Sequence, residues 1–416
     1  MMRRAALLVS MLLVACGDGA VGPGQPGRYE PVARCEGGTA DGFACQRIDL
    51  LAHLSLVELE LEPTSNFSAA NDIWGWTDAG TGRSYALVGR RDGVSIVEVT
   101  DPGDPVAIGR LPSASGTSIW RDIKVYRDHA YVVADGAPGH GVQVLDLRRL
   151  RGVAEFTVFT PDVVYDGVGS VHNIAVNEEA GFAYAVGANS GGTTCGGGLH
   201  MIDIRFPANP SFAGCFAATG TGRGGTGYTH DVQCVTYDGP DAEHRGREIC
   251  FASNESDLVV VDVSDKSLPV RLSTASYPDA AYVHQGWLTA DQRYFLQNDE
   301  LDELAGSAPR TRMLVWDVTD LDDPVLAVEY EGPTAAVDHN LYVRGDLAYY
   351  SNYAYGLRVV DVGDPRSPRE HGHFDTHPLS DAPGFDGSWS NYPFFGDGVI
   401  AVSSSHDGLF LLQLAP

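Results

Sequence analysis

Basic residues are scarce in this sequence of 416 residues, which contains 28 Lys and Arg against 55 Asp and Glu. The formal net charge is therefore −27 at pH 7 with histidine counted as neutral. A surface of this sign repels phosphate backbones, so we expect no nucleic acid among the partners of the protein. The acidity favours solubility and attracts divalent cations, although such attraction does not by itself define a cation site.

Apolar runs long enough to cross a bilayer are also missing. The run from Ala5 to Ala15 follows two arginines and is too short for a hydrocarbon layer of about 30 Å. Its basic start and apolar centre are typical of a secretory signal peptide. The next residue, Cys16, ends the sequence Leu-Val-Ala-Cys. This ending resembles the lipobox of bacterial lipoproteins, in which the Cys is lipidated and the preceding peptide is removed.

These features predict three regions: a signal peptide over residues 1–15, a Gly- and Pro-rich flexible tether over residues 16–33, and a single folded domain over residues 34–416. Several acyl chains on Cys16 would hold the protein on a membrane surface, and this lipid would be its only membrane contact. We therefore expect an extracytoplasmic, membrane-anchored lipoprotein, in the periplasm or at the cell surface.

Cysteine is sparse, and none of the seven cysteines forms a Cys-x-x-Cys pair, which argues against thiolate metal binding. Six remain besides Cys16, an even number that suits disulfides in an oxidising compartment. Near neighbours in the chain meet the distance limits of a disulfide most easily, which predicts three local pairs. These pairs are Cys35 with Cys45, Cys195 with Cys215, and Cys234 with Cys250.

Helical periodicity is nearly absent, and a strand-like motif recurs instead. It consists of an apolar run, an acidic residue, an aliphatic residue and often an Asp and a Pro, as in LVVVDVSDKSLPV from Leu258. Spacings of 44 to 59 residues separate successive copies of the acidic residue, which is Glu98, Asp146, Asp203, Asp262, Asp317 and Asp361. Gln413 takes this position in a seventh copy. Periods of this size with β-branched runs are typical of propeller blades.

Each unit contains further strand-like runs that bring its total to four strands, so we predict an all-β, seven-bladed β-propeller. The last unit ends at Pro416 without an outer strand, whereas a strand-like segment over residues 48–61 precedes the first unit. We expect this N-terminal segment to complete the last blade and close the ring. The acidic residue of each motif is followed by Ser or Thr, Asp and Pro, which predicts a capped turn, with Ca²⁺ binding by a turn as the alternative.

The chain resembles the LVIVD-repeat proteins and, among them, the choice-of-anchor B family, over nearly its whole length after the tether. The motifs that carry the resemblance are NDIWGWTD from Asn71, WRDIKVY from Trp120, GSVHNIAVNEEAGFAYAVG from Gly169, THDVQC from Thr229, HQGWLTADQRYF from His284 and DHNLYV from Asp338. The resemblance implies a surface domain whose anchor varies among members, and it assigns no biochemical activity. The chain departs from the family at Ala70, where relatives usually carry a His.

Aligning the first strand of each unit produces two columns of polar residues. The first column is Asn71, Arg121, His172, His230, His284, His339 and Ser390. The second column is Asp72, Asp122, Asn173, Asp231, Gln285, Asn340 and Asn391. The first strand of a propeller blade lines the central channel, so the columns should meet the loops between second and third strands at one channel mouth.

The sequence leaves three interpretations of these columns open. The polar side chains could bond backbone groups of adjacent blades and lock the ring together. The imidazoles of His172, His230, His284 and His339 would suit a divalent transition metal. An organic ligand would be bound by residues drawn from Asn71, Asp72, Arg90, Arg121, Asp122, Asn173, Asp231, Gln285, Asp299, Asn340 and Asn391.

These alternatives lead to two functional hypotheses. The first is a surface-anchored binding or scaffold module for a surface protein or a polysaccharide. The second is a metal-dependent enzyme that uses the ring of channel histidines. No GxSxG, HExxH or Walker-type sequence is present to assign a reaction, and a transition metal or Ca²⁺ is the cofactor that either column would fit.

The lipid anchor can be tested by replacing Cys16 with Ser. We expect the Cys16→Ser protein to move from the membrane pellet to the soluble fraction, because the acyl chains are its only predicted membrane contact. Cell fractionation with immunoblotting measures the change. A Cys16→Ser protein that stays in the pellet would contradict the anchor.

Overall fold

A computed structural model describes residues 29–60 and 70–416 of the chain. Its main sheets are seven antiparallel blades arranged around a central channel, and helices are short and few. The prediction of an all-β, seven-bladed propeller is therefore confirmed. The predicted signal peptide and Cys16 lie outside the described residues.

Each blade has four strands, numbered here from the channel outward. Blade one contains Ala70–Thr77, Ser84–Arg90, Gly93–Glu98 and Val106–Pro112; blade two Arg121–Tyr126, His129–Ala134, Val142–Asp146 and Val163–Tyr165; blade three Asn173–Asn177, Phe182–Val186, Leu199–Asp203 and Ser211–Phe216; blade four Asp231–Thr236, Glu248–Ser253, Leu258–Asp262 and Val270–Ala275. Blade five contains Val283–Leu288, Tyr294–Asp299, Arg312–Asp317 and Val325–Glu331; blade six Leu341–Arg344, Leu347–Ser351, Leu357–Asp361 and Arg369–Phe374; blade seven Ser388–Tyr392, Val399–Ser404, Gly408–Leu414 and Ile48–Leu54.

Several short strands and helical segments add to the seven blades. Thr39–Ala40 and Phe43–Gln46 extend the outer edge of blade six, and Thr157–Val158 adds a parallel strand to blade one. Val168–Ser170 pairs with Ser190–Gly192. The helical segments among the described residues are Leu56–Glu60, Leu147–Leu150, Cys195–Gly197 and Asp302–Ala305.

The ring closes as predicted, because the N-terminal strand Ile48–Leu54 pairs antiparallel with the C-terminal strand Gly408–Leu414. The strand is shorter than the segment expected from the sequence, since the chain turns into a helix after Leu54. Ser55 and Glu58 form a capping box there: the Ser55 backbone N–H donates to the Glu58 carboxylate at 2.8 Å, and the Glu58 N–H donates to Ser55 Oγ at 3.4 Å. The local Ser-x-x-Glu signal therefore ends the strand.

The hydrophobic core lies between the blades. Seven buried clusters occur in the described part of the chain, and each joins two consecutive blades. The third strand of blade four shows how a continuous apolar run serves two clusters. Val259 and Val261 pack towards blade three, whereas Leu258 and Val260 pack towards blade five, because side chains alternate between the faces of a strand. The run Leu258 to Val261 is apolar at every position because both faces of its blade are buried.

The acidic residue of each motif is the last residue of a third strand. In five blades its carboxylate accepts the backbone N–H two residues later, at 2.9 to 3.1 Å, from Arg148, Arg205, Ser264, Thr319 and Gly363. Blade one differs, because Glu98 accepts from the Thr100 hydroxyl instead. The geometry is that of a side-chain-capped turn, which is the interpretation that the sequence favoured.

The three predicted disulfides are present, Cys35 with Cys45, Cys195 with Cys215, and Cys234 with Cys250. The third links residues that face each other on the first and second strands of blade four. Disulfides persist outside the reducing cytoplasm, so these bonds indicate an extracytoplasmic protein.

Contact with the propeller begins within the segment expected to be a tether. The Tyr29 carbonyl accepts a hydrogen bond from Gln413 Nε2 at 2.8 Å, and the Ala33 backbone pairs with that of Leu50. None of the helices in residues 29–60 and 70–416 has the length and apolar character needed to cross a bilayer.

Removing the buried disulfide of blade four should destabilise the propeller. The double variant Cys234→Ala/Cys250→Ala is expected to lose about 3 kcal/mol, because a bond closing a loop of this size restricts the unfolded chain by that amount. Thermal melting of the variant and the parent under non-reducing conditions measures the loss. An unchanged Tm, or peptide mapping that finds free thiols at these positions in the parent, would contradict the assignment.

Candidate functional site

A cavity of about 420 Å³ opens where the inner strands begin, and we call it the mouth pocket. Its volume falls within the range of small-molecule sites. The residues that line it are Asp72, Ile119, Trp120, Arg121, Asp135, His172, Asn173, Tyr228, His230, Tyr282, His284, Glu300, Leu301, His339, Asn340, Tyr353, Phe385 and Trp389.

Four histidines form an arc along one side of the mouth pocket. They stand at the starts of the inner strands of blades three to six, and neighbouring ring centroids are 4.4, 4.1 and 4.3 Å apart in the order His172, His230, His284 and His339. The histidine column of the sequence therefore comes together on one wall.

Three of these imidazoles are oriented through their Nδ1 atoms. Nδ1 of His172 lies 3.0 Å from the Asp135 carboxylate, Nδ1 of His230 lies 2.9 Å from the His284 carbonyl, and Nδ1 of His339 bonds to the Trp389 carbonyl. An acceptor at Nδ1 retains the proton there, which leaves Nε2 with a free lone pair. Burial lowers the pKa of His230 and His284 well below the ordinary value and that of His339 to about 3, so these three rings are neutral at pH 7.

A carboxylate faces the Nε2 atoms of two of the histidines. Glu300 Oε2 lies 3.8 Å from His284 Nε2, and Glu300 Oε1 lies 3.6 Å from His339 Nε2. The Tyr353 hydroxyl donates to the same carboxylate at 2.9 Å. Burial raises the pKa of Glu300 to about 7, although the Tyr353 hydrogen bond opposes the shift. One ligand atom from each of His284, Glu300 and His339 lies within 4.8 Å of the others, so this set differs from the four histidines expected from the sequence.

Most of the second polar column connects neighbouring blades. Asp72 and Asp122 accept the backbone N–H groups of Ile123 and Ile174, at 3.0 and 2.6 Å. Gln285 both accepts from and donates to the backbone of Leu341, at 3.0 Å in each case.

The amide side chains of the second column also form hydrogen bonds to neighbouring blades. Asn173 donates to the His230 carbonyl at 3.0 Å, and Asn340 donates to Ser390 Oγ at 3.2 Å. Asn391 donates to the carbonyl of Asn340 at 3.4 Å. Asn71, which belongs to the first column, likewise donates to the Ile119 carbonyl at 3.0 Å. These hydrogen bonds occupy groups that the sequence also offered as ligand contacts.

A buried charge cluster lies below the mouth pocket. Lys124 Nζ bonds to the Asp122 carboxylate and lies 3.8 Å from Asp72 Oδ2. Burial, with repulsion from Asp122, raises the pKa of Asp72 well above its ordinary value and that of Asp231 to about 7, against the attraction of Lys124. Attraction by Lys124 and hydrogen bonds outweigh burial at Asp122 and lower its pKa. Lys124 therefore balances carboxylates contributed by three blades.

A second cavity of about 350 Å³ opens at the opposite end of the channel. It is lined by residues of the charge cluster, including Asp231, and by Gln285. Aromatic side chains form much of the remaining wall, namely Trp74, Trp287, Tyr342, Tyr392 and Phe394.

The remaining candidates hold the mouth loops in place. Arg121 is buried and donates to the carbonyl groups of Arg90 and Arg91, at 2.6 and 3.1 Å. Burial lowers its pKa to about 10. Arg90 donates to Ser95 Oγ at 3.2 Å, and Asp299 accepts the Ala281 backbone N–H at 2.7 Å.

Several residues of the mouth pocket were absent from the candidates drawn from the sequence. Glu300 and Asp135 lie in loops between second and third strands, which the alignment had already brought to the mouth. Tyr228 and Tyr282 each stand two positions before a column histidine, which places them on the same face of an extended chain. The Tyr-x-His spacing could therefore have predicted that these tyrosines line the mouth pocket.

Comparison with known proteins supports the repeat and the fold. A family model described as the LVIVD repeat matches residues 249–274, in blade four, and residues 339–376, which cover blade six. No curated protein matches the chain. The chain is similar to a protein from Lactobacillus plantarum whose crystal structure is known, with 14% identity, a TM-score of 0.53, and coverage of 80% of this chain and 88% of that one. At this identity the likeness concerns the fold alone. The protein is thus a seven-bladed β-propeller that carries LVIVD repeats.

Proposed function

We propose that this protein is a lipid-anchored, extracytoplasmic propeller of the choice-of-anchor B type that binds a small polar ligand in the mouth pocket. The observation that carries the proposal is the composition of this pocket. Its floor is formed by histidines, Glu300 and amides, while its rim carries the exposed aromatic side chains of Trp120 and Phe385. Small-molecule sites characteristically combine aromatic side chains with a few polar groups that orient the ligand.

A sugar unit of a neutral surface polysaccharide is the ligand class that this composition favours. Trp120 is 43% exposed and Phe385 is 47% exposed, so both rings are available to stack on the apolar face of a sugar. The polar floor supplies donors and acceptors for hydroxyl groups. The net charge of −27 disfavours anionic polymers, and a cavity of about 420 Å³ suits a chain end better than a flat protein surface.

Replacing a rim aromatic should weaken saccharide binding. Trp120→Ala and Phe385→Ala are each expected to lower affinity about ten-fold or more, because each removes one large apolar contact. A glycan array identifies ligands, and calorimetry on the hits measures affinity. Phe206→Ala is the matched control, since Phe206 is 77% exposed and lies outside the mouth pocket.

Two results would contradict this proposal. One is the absence of any glycan ligand for the parent protein, and the other is binding that both rim variants leave unchanged. Capture of a defined surface protein that the same two variants abolish would identify a protein ligand instead of a saccharide.

A second candidate function is metal-dependent chemistry at the same pocket, and the set of His284, Glu300 and His339 favours it. Two ligand atoms about 2.1 Å from one ion lie roughly 3.4 Å apart in tetrahedral geometry. The separations of 3.8 Å from His284 Nε2 to Glu300 Oε2 and of 3.6 Å from His339 Nε2 to Glu300 Oε1 are close to this value. Two histidines and one carboxylate leave coordination positions open for water or substrate, as catalytic zinc and non-haem iron sites require.

Metal analysis separates the two candidates. Protein purified without a His tag should contain a transition metal in a one-to-one ratio if the second candidate holds, and Glu300→Gln should lower its metal content at least ten-fold. His371→Gln, on the outer strand of blade six, is a control that removes an imidazole elsewhere. Metal-free protein that also fails to bind added Zn²⁺ or Co²⁺ would eliminate the metal-dependent candidate and leave the binding module.

A further inference from the structure

Three carboxylates are buried together behind the mouth pocket, and we call them the carboxylate cluster: Asp302, Glu303 and Asp338. Asp302 and Glu303 begin the short helix after the second strand of blade five, and Asp338 lies just before the inner strand of blade six. Asp302 and Asp338 are fully buried, and Glu303 is 7% exposed. One carboxylate oxygen from each lies within 4.8 Å of the other two.

The cluster has more acceptor oxygens than donors. Both oxygens of Asp338, both oxygens of Glu303 and Oδ1 of Asp302 are buried without a hydrogen-bond partner. The Tyr350 hydroxyl has a single proton to donate, and both Asp338 and the Arg312 carbonyl, the latter at 3.4 Å, lie within its reach. Buried polar atoms of native proteins are almost always paired, so five orphaned oxygens in one place point to a missing partner.

The negative charge of the cluster indicates that the missing partner is a cation. Arg312 is the cation in contact, and it forms an ion pair of 2.9 Å with Asp302 Oδ2. The same guanidinium also contacts Glu329, so it does not neutralise Glu303 or Asp338. Three carboxylates and one guanidinium leave a formal charge of about −2, and an uncompensated buried charge is strongly destabilising.

We propose that the carboxylate cluster binds one Ca²⁺ ion. Calcium takes oxygen ligands at 2.3–2.6 Å, so two oxygens on one ion are at most about 5 Å apart. The 4.8 Å limit of the cluster satisfies this condition. Five free carboxylate oxygens, completed by backbone carbonyls or water, approach the six to eight ligands that calcium prefers. The set contains neither imidazole nor thiolate, which distinguishes it from the transition-metal candidate at Glu300.

Calcium at this site would stabilise two segments that carry residues of the mouth pocket. The segment that carries Asp302 and Glu303 also carries Glu300, and Asp338 directly precedes His339. Calcium would therefore join the loop of blade five to the inner strand of blade six. This inference does not depend on the proposed function, because the cluster lies outside the lining of the mouth pocket.

Calcium binding is measured on the full chain in detergent after treatment with EDTA. Equilibrium dialysis should find one Ca²⁺ per chain at about 10 mM Ca²⁺, above the roughly 10⁻⁴ to 10⁻³ M dissociation constants of extracellular calcium modules. Thermal melting should show a higher Tm in Ca²⁺ than in EDTA, because an ion that binds only the folded state stabilises it. Failure of both wild-type measurements would overturn the proposal without reference to any variant.

Asp338→Asn tests the assignment to these residues. The variant should lose the calcium-dependent rise in Tm and bind Ca²⁺ at least ten-fold more weakly. In EDTA it should melt at or above the wild-type Tm, because the amide removes a buried negative charge. Asp323→Asn is the matched control, since it makes the same charge change at an exposed position in the turn between the third and fourth strands of blade five, the blade that carries Asp302 and Glu303. A calcium response retained in Asp338→Asn would place the ion elsewhere and contradict the proposal.

Protons are the competing partner for these carboxylates. Burial, with repulsion from Asp302, raises the pKa of Glu303 to about 10, and burial raises that of Asp338 well above its usual range. If protons alone neutralise the cluster, Tm will be the same in Ca²⁺ and in EDTA, and Glu303→Gln will leave it unchanged in both. That result would also overturn the calcium site.

Discussion

Hydrogen bonds from inner-strand side chains to the backbone of a neighbouring blade are the interaction on which the rest of this structure depends. Each inner strand has one edge paired within its own blade and one edge facing the channel, where its backbone groups would lack partners. Asp72 and Asp122 each supply an acceptor to the next blade, and Gln285 supplies both a donor and an acceptor. Between blades seven and one the contact comes from the second strand, where Ser403 Oγ donates to the Asn71 carbonyl at 2.5 Å. The apolar layers between blades can then pack against a ring of defined size.

This requirement determines which residues are available for chemistry. A side chain that satisfies a neighbouring backbone group cannot also turn to a ligand without leaving that group unpaired. The positions one residue earlier begin the inner strands and face the mouth, and there His172, His230, His284 and His339 form a continuous arc. The loops between second and third strands add Asp135 and Glu300, which orient the imidazoles or face them.

Charge balance differs between the two sides of the ring. In blades one and two the buried Asp72 and Asp122 share Lys124, so negative charge below the mouth pocket meets a cation of the protein itself. In blades five and six, Arg312 pairs with Asp302, while Glu303 and Asp338 keep unpaired oxygens. Buried carboxylates require compensation by positive charge. Lys124 supplies this charge to Asp72 and Asp122, whereas Glu303 and Asp338 require a cation from outside the protein.

Much of the architecture was predictable because it is encoded locally and repeated. The recurring acidic residue marks the end of a third strand in six blades, since a carboxylate caps the N–H groups of the turn that follows it. Alternating and continuous apolar runs predicted the strands, and the unmatched segment from Ile48 predicted the closing strand. The disulfide pairs followed from near neighbours in the chain. The end of the closing strand at Leu54 was also encoded, in the Ser55 and Glu58 capping box.

The sequence by itself determined the repeat, the closure and the column of histidines, because each depends on residues close in the chain or on a regular period. The tertiary structure alone decided which polar groups remain free. Whether Asp72 caps a backbone N–H or faces a ligand depends on the position of Ile123 in the next blade. The meeting of Glu300 with His339 and the burial of Asp338 beside Glu303 likewise depend on how blades five and six pack. Distances between residues on different blades follow from the curvature of the whole ring, which no local pattern records.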